Sequence, residues 1–600
     1  MRDFHKAFSQ RNMYLIDSLT LLATAGGALS VEGMAKPDLH FIDWSIMAIY
    51  LSFVLGIGFA LKKYMNSADD FFLSGRSIPG WVCGLAFISA NLGAQELIGM
   101  AASGAEYGIM TSHFYWIGAI PAMVFLGIFM MPMYYGSKAR SVPEYLKMRY
   151  NEPTRVFNSV SFAFMTVASS GISMHALAEL LQALLGWNYY ASLVITSAIV
   201  LAYVLKGGLS SAIYNEVLQF FMIVFGIAPL AYIALKNVGG WEGLTAKLHA
   251  SEQGAGALHS WAQTGSTANP MGVPWYGILF GLGFVLSFGY WTTNFAEVQR
   301  ALAANSMGAA RRTPIIGAIP KMLFPAIVIL PGLIAFALTA DPEPGYSIPT
   351  KLATDGTVIY NYNQVLPSMI FHYFPNGLLG LALTALMASF MSGMAANVTA
   401  FNTVWTYDLY KTMKPNQTDK QLLAMGKYAT IFGIIAAMGF ALVASKYNNI
   451  MSILQLVFGF VNAPLFATFL LGMFTRRSNS VGSFWGLVIG TGTAVIFHGL
   501  TLATGNAAGV KGGWISTAIE YPKEMSQNFW IAIVAFSTTF VVNAVLSLLT
   551  KRTKTDAELA GLVYSLTPKQ YDEGEPWILR PAVLGSMVMV AVLILNYIFW

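Results

Sequence analysis

The chain holds 600 residues, of which 56% are hydrophobic and only 10% charged, with a formal net charge of +6. Soluble domains carry about 25% charged residues, so an ordinary soluble body is excluded, and so small a positive excess is no nucleic-acid signature. One cysteine, Cys83, excludes an intrachain disulfide framework, and 56 glycines with 40 phenylalanines suit helices packed closely in lipid.

Residues 1–42 form an N-terminal extension. Within it Met13 to Ser30 is apolar apart from Asp17, and reads either as a cleaved signal peptide or as an additional helix. The pattern then predicts fourteen membrane-spanning stretches: 43–61, 79–102, 113–135, 156–185, 189–204, 212–236, 276–296, 315–340, 378–406, 427–445, 450–474, 481–500, 528–549 and 581–599. Most match or exceed the roughly 17–25 residues needed to cross the hydrocarbon. The stretches 156–185 and 378–406 are long enough to tilt or to reach into water, and 189–204 is short. Residues Val365 to Phe374 predict a short helix on the outer surface, read as a structural lid. The polar, mixed-charge residues 550–580 read as a cytoplasmic linker within the C-terminal region 481–600.

The connecting loops alternate in charge. One set carries Lys62, Lys63 and Arg76; Lys138, Arg140, Lys147 and Arg149; Lys206; Arg300, Arg311 and Arg312; Lys411, Lys414 and Lys420; Arg476 and Arg477; and Lys551, Arg552 and Lys554. The opposite set, 237–275, 341–377 and 501–527, is longer and sparse in lysine and arginine. The positive-inside rule places the first set in the cytoplasm. The mature chain is then expected to begin and end outside, as a multi-pass protein of the plasma membrane, or of the bacterial inner membrane if the source is prokaryotic.

Polar groups interrupt several spans. In 79–102, Ser89, Asn91, Gly93, Gln95 and Glu96 break the apolar pattern, and Glu96 in lipid would be expensive. This helix is expected to face the interior and to unwind near Asn91 to Ala94, freeing backbone groups for an ion or a polar ligand; interhelical hydrogen bonding is the alternative. In 378–406, Ser389 and Ser392 lie three residues apart on one face. Their hydroxyls suit a sodium ion, and equally suit close packing with Gly393 and the alanines. Glu216 reads as an ion or proton relay, or as an interfacial residue. Lys321 reads as a snorkelling lysine or as one reaching a polar cavity. Ser287, Tyr290, Trp291 and Asn294 combine rings with hydroxyl and amide groups, which suits a sugar, though Trp and Tyr also anchor membrane interfaces. Gln455 precedes Asn462 and Pro464, where a kink is expected. His113 and His175 read as hydrogen-bonded structural residues. No metal cluster, nucleophile arrangement or GxxxxGK[ST] loop is present in the sequence. Secondary transport therefore leads, with a channel behind it.

At these residues the sequence resembles the sodium/solute symporter family, and within it the sodium–glucose cotransporter branch. The resemblance is carried by ADDFFLSGRSIPGW from Ala68, SVPEYLKMRY from Ser141, KGGLSSAIYNEVLQFF from Lys206, EVQRALAA from Glu297 and VWTYDLYK ending at Lys411. It implies an all-α polytopic membrane protein with an inverted five-helix-repeat, LeuT-like core. The repeats would be 79–236 and 276–474, with 43–61 leading and three helices following. A sodium gradient would drive solute entry by alternating access, Na+ being the co-transported ion, and the protein would be no enzyme.

The resemblance also implies roles for residues. The sodium site would use the backbone carbonyls of Ser89, Leu92 and Ser389 with the hydroxyl of Ser392. Gly393 stands where the sugar branch has a second serine, and Glu216 where it has an aspartate associated with ion coupling. Trp291, Lys321 and Gln455 fall on sugar-binding places, and Ser287 keeps a small polar group. Tyr290 resembles the inner gate and Asn91 the amide that steadies it. Tyr115 replaces a glutamate that takes sugar hydroxyls, and Glu96, beside Gln95, departs from the expected pattern in a way that restores a carboxylate from the opposite wall. A sodium symporter for a sugar is the first expectation. One for an amino acid, organic acid or vitamin is the second, and a passive channel or transporter-derived sensor the third.

Overall fold

The computed structural model describes residues 37–61, 74–251, 254–340, 346–352, 356–505, 509–568 and 576–600. The apolar segment Met13 to Ser30 and the start of the motif at Ala68 lie outside the described residues, as do residues 569–575 of the linker.

Helix α1 spans Phe41–Leu61. Next come a bent pair, α2 (Gly80–Asn91) and α3 (Gln95–Ser112), which meet at 62°. They are followed by α4 (Phe114–Gly136) and α5 (Glu152–Leu185). The helical run Tyr189–Asn237 has two apolar parts, α6 (Tyr189–Ala202) and α7 (Leu209–Asn237). The short α8 (Gly240–His249) follows. A second bent pair, α9 (Gly277–Thr293) and α10 (Phe295–Leu302), turns by 48°. After them run α11 (Met307–Thr339), α12 (Val365–Tyr373) and α13 (Leu378–Met413). The chain closes with α14 (Asp419–Ala444), α15 (Ile450–Phe474), α16 (Ser480–Leu500), α17 (Glu524–Leu549) and α18 (Pro581–Ile598).

Among the described residues ten helices are long and apolar enough to cross a membrane, or twelve if each bent pair is one span. The expectation of fourteen spans is corrected on this point. The apolar parts Phe41–Ile57 and Tyr189–Ala202 are shorter, and at ~1.5 Å per residue they reach only about 21–26 Å of a ~30 Å hydrocarbon core. Several helices begin before the apolar run that announced them. Helix α11 starts at Met307, carrying Arg311 and Arg312 in its first turns, and α14 starts at Asp419. Charged first turns remain helical because their caps are satisfied: Ser306 accepts from Ala309 N, and Thr418 forms a capping box with Gln421.

The layering follows from composition. Windows of α13 and α15 are 89% buried, whereas those of α17 and α18 are 33% and 28% buried. A helix apolar on every side yet rich in Gly, Ala and Ser is suited to the centre of a bundle, because small side chains let backbones approach. At one crossing the approach is extreme. A Cβ on Gly332 of α11 would lie 2.1 Å from the Ala101 carbonyl oxygen of α3, and one on Gly104 would lie 2.6 Å from that of Ile329.

The connections carry little regular structure: β1 (Thr350–Leu352) pairs antiparallel with β2 (Val358–Tyr360), and β3 (Thr501–Ala503) pairs parallel with β4 (Ile519–Tyr521). Helix α12, expected as a surface lid, has most of its side chains buried against the bundle. The linker region also docks: Lys554 donates to the Met148 carbonyl, Tyr145 to that of Leu562, and Leu559 and Val563 are fully buried. At the C-terminus, Ser260 N donates to Phe599 O at 2.8 Å, and His259 Nδ1 lies 2.7 Å from Trp600 O. Trp600 therefore sits on the same face as the α8–α9 connection.

Candidate solute cavity and ion face

The break between α2 and α3 organises the site. Helix α2 stops at Asn91, and Leu92 (φ −73°, ψ 45°) and Gly93 leave the helical path. The chain resumes with a π-helical turn, Gln95–Gly99. The side chain of Asn91 is engaged on both sides: its amide donates to Tyr290 Oη at 3.1 Å, and its Oδ1 accepts from Lys321 Nζ.

A cavity opens beside this break. It is lined by Asn91, Glu96, Tyr115, Ser287, Tyr290, Trp291, Lys321 and Gln455. All six residues expected to face solute and both expected gate residues thus border one space, brought from α2, α3, α4, α9, α11 and α15. Lys321 Nζ donates to Glu96 Oε1 at 2.6 Å. The same ammonium lies 4.8 Å from the Trp291 ring centre and 5.1 Å from that of Tyr115. So Lys321 reaches a polar cavity rather than snorkelling to the surface.

The two residues expected to form a gate belong to a chain of hydrogen bonds. Tyr290 donates to Glu297 Oε1 at 2.8 Å while accepting from Asn91. Its ring packs 4.8 Å from that of Phe458, centre to centre. Glu297, on α10, is buried, and its hydrogen bond to Tyr290 was not read from the sequence although the motif beginning at it was. The bend before it was also missed. Its signal was present: Asn294 caps α10 by accepting from Ala296 N, and a Glu three residues after an Asn marks a helix start.

On the other side of the break, α13 meets the freed carbonyls. Ser389 Oγ donates to Leu92 O at 2.6 Å and Ser392 Oγ to Ser89 O at 3.0 Å, with the hydroxyls of Ser89 and Ser392 3.5 Å apart. Ser89, Leu92, Ser389 and Ser392 are fully buried. Gly393 adds no side-chain oxygen, and a Cβ there would lie 3.0 Å from Gly93 Cα. Glu216 lies apart from these hydrogen bonds. It is buried, and both its oxygens accept from Arg300, Oε2 from Nε at 3.1 Å and Oε1 from the second guanidinium nitrogen. Arg300 also donates to Ala296 O at 2.7 Å, and its neighbour Gln299 donates to Thr403 of α13 at 3.2 Å.

The two histidines are hydrogen-bonded: His113 Nε2 lies 2.6 Å from Ser260 O, and His175 Nδ1 lies 2.9 Å from Tyr189 Oη. Among the described residues there is no group of three or more His, Cys, Asp or Glu side chains that could hold a metal.

Broken first helices in both halves, a central polar cavity and a buried serine–carbonyl cluster define a class: a multi-pass, all-α transporter with a ten-helix LeuT-like inverted-repeat core. The chain belongs to the sodium:solute symporter family, whose sequence model matches residues 71–490. It is a sodium-coupled, alternating-access symporter with Na+ as the co-transported ion, and not an enzyme.

Similar proteins include a sodium/glucose cotransporter of Vibrio parahaemolyticus, 28% identical over 456 residues, covering 75% of this chain and 84% of that protein. Sodium/myo-inositol cotransporter 2 of Oryctolagus cuniculus is 27% identical over 468 residues, covering 75% and 68%. Among solved structures, a substrate-bound outward-open state of a Na+-coupled sialic acid symporter superposes with a TM-score of 0.70 at 19% identity, covering 86% of this chain and 100% of that one. At that identity it speaks for the fold.

Proposed function

We propose that this symporter imports a sugar or a related polyol together with sodium. The observation that carries the reading is the convergence of ring faces and directed polar groups on one cavity. Trp291 and Tyr290 offer rings; Asn91, Glu96, Ser287, Lys321 and Gln455 offer donors and acceptors. A sugar needs both, since its apolar faces stack while its hydroxyls require directed partners. The sodium/glucose and sodium/myo-inositol names of similar proteins point the same way.

In this reading the carbonyls of Ser89, Leu92 and Ser389 and the hydroxyl of Ser392 hold sodium at the break, with Gly393 contributing space rather than an oxygen. Glu216, through Arg300, ties α7 to α10 and takes part in coupling. Asn91 and Tyr290 form the inner gate. The five-helix units 79–236 and 276–474 exchange access around the cavity, and both mature termini lie outside the plasma membrane.

One observation favours a second reading. The Glu96–Lys321 pair offers both signs of charge to the cavity, which would suit a zwitterionic or anionic solute such as an amino acid or organic acid. A thermal-shift screen of the purified protein separates the two, because a ligand of the folded state raises apparent stability. Sugars, polyols, amino acids and organic acids are each paired with sodium or potassium. Stabilisation that needs sodium and a sugar or polyol is expected; stabilisation that needs sodium and an amino or organic acid would replace the sugar reading.

A further inference from the structure

Ser173 lies in the middle of α5, fully buried, and its hydroxyl has no hydrogen-bond partner. On the same helix Ser159, Ser161 and Thr166 donate to the carbonyls of Arg155, Phe157 and Phe162, one turn back. That is the ordinary recourse of a helical hydroxyl, and Ser173 does not take it. A buried polar group without a partner is unfavourable, and such a group in a native fold points to an ion or a water that completes it.

The position of this hydroxyl says which. A Cβ built on Gly393 would lie 3.3 Å from Ser173 Oγ and 3.0 Å from Gly93 Cα. Ser173 Oγ therefore stands beside Gly393, next to Ser392 in the chain, at the break whose carbonyls receive the Ser389 and Ser392 hydroxyls. A side chain at 393 would crowd the backbone of Gly93, and the glycine that stands there brings no second hydroxyl to this corner. Helix α5 brings one instead, within 3.3 Å of where a Cβ at 393 would stand.

We propose that the Ser173 hydroxyl is a sodium ligand, supplied from α5 in place of the oxygen that Gly393 cannot offer. Sodium is a hard cation, and neutral hydroxyl and carbonyl oxygens serve it without a compensating charge. The exchange also alters which elements the ion holds together. Sodium contacts then join α2, α13 and α5, so that α5 senses occupancy directly. The inference rests on the sodium-site reading built on Ser392, and its test must separate the two.

The probe is sodium chloride against choline chloride at constant ionic strength, with no solute, read as thermal stabilisation of the purified full-length chain. Ser173→Ala should raise the half-saturating sodium concentration about fivefold or more, a change of the size expected when one polar contact is lost. Ser173→Thr, which keeps the hydroxyl, should stay close to the unsubstituted protein. In choline alone Ser173→Ala should melt no lower than the unsubstituted protein, because the group removed is unpaired there; a purely structural serine would lower it. If Ser173→Ala titrates like the unsubstituted protein while Ser392→Ala is weakened, the Ser173 ligand is overturned and the site stands. If neither substitution moves the sodium titration, the sodium site itself is misplaced and the ligand falls with it.

Discussion

Lys321 and Glu96 form an ion pair of 2.6 Å between α11 and α3, with side chains only 2% and 4% exposed. Two charges removed from water are costly, and they are tolerable because each compensates the other and because Asn91, Tyr115 and Trp291 surround the ammonium. Removing one partner leaves an unpaired buried charge, a loss of about 3–5 kcal/mol. Lys321→Met and Glu96→Leu should each lower the melting temperature sharply. The double substitution should recover most of that loss in a double-mutant cycle. Additive losses would show that the two residues do not stabilise each other.

Glu96 also brings a carboxylate to the central cavity. Glu96→Gln keeps its shape and removes its charge. Sodium-driven hexose uptake in proteoliposomes should show a weakened apparent affinity, by about tenfold or more if a charge-assisted hydrogen bond to a hydroxyl is lost. An unchanged affinity would mean that sugar hydroxyls do not use Glu96.

Tyr290→Phe removes the hydroxyl that links Asn91 to Glu297. The ring and its packing on Phe458 remain. A gate held shut by that link should then open more readily, so passive solute efflux from preloaded proteoliposomes should rise while the melting temperature falls only modestly. Unaltered efflux would remove Tyr290 from the gate.

Arg300→Lys keeps the positive charge beside Glu216 but not the planar fork that engages both carboxylate oxygens. The expected loss is about 1–3 kcal/mol of stability, measured by thermal melting. It should be accompanied by a lower uptake rate if the α7–α10 tie takes part in coupling. Wild-type melting would mean that a point charge suffices there.

Cys83, the single cysteine, is fully buried, which leaves a quiet background for topology mapping. Thr267→Cys, in the exposed α8–α9 connection that carries the C-terminus, should react with a membrane-impermeant maleimide on intact cells. Lys420→Cys, exposed on α14, should react only after permeabilisation. The reverse pattern would invert the orientation.

Much was legible in the order of residues alone. Runs of apolar residues long enough for a bilayer are a local property, and they set the all-α membrane body, the places of most helices and the alternation of basic loops. The polar interruption at Asn91 to Ala94 was readable for the same reason: a helix that carries Asn, Gly, Gln and Glu in succession cannot lie against lipid. The number of spans was not settled this way, because hydropathy does not report whether a short apolar helix such as α6 reaches both interfaces.

The rest was decided by tertiary structure, since it depends on distances between residues hundreds of positions apart. Glu96, Lys321 and Gln455 become one cavity only because α3, α11 and α15 converge on it. Whether Lys321 snorkels or turns inward is an electrostatic question, answered by the carboxylate that waits for it. Glu216 gained Arg300 as its partner because the fold brings these two side chains, on α7 and α10, within reach of each other. Ser173 carries no motif at all. Its interest comes from a glycine on another helix and from a hydroxyl left without a partner, and both are facts of packing rather than of sequence.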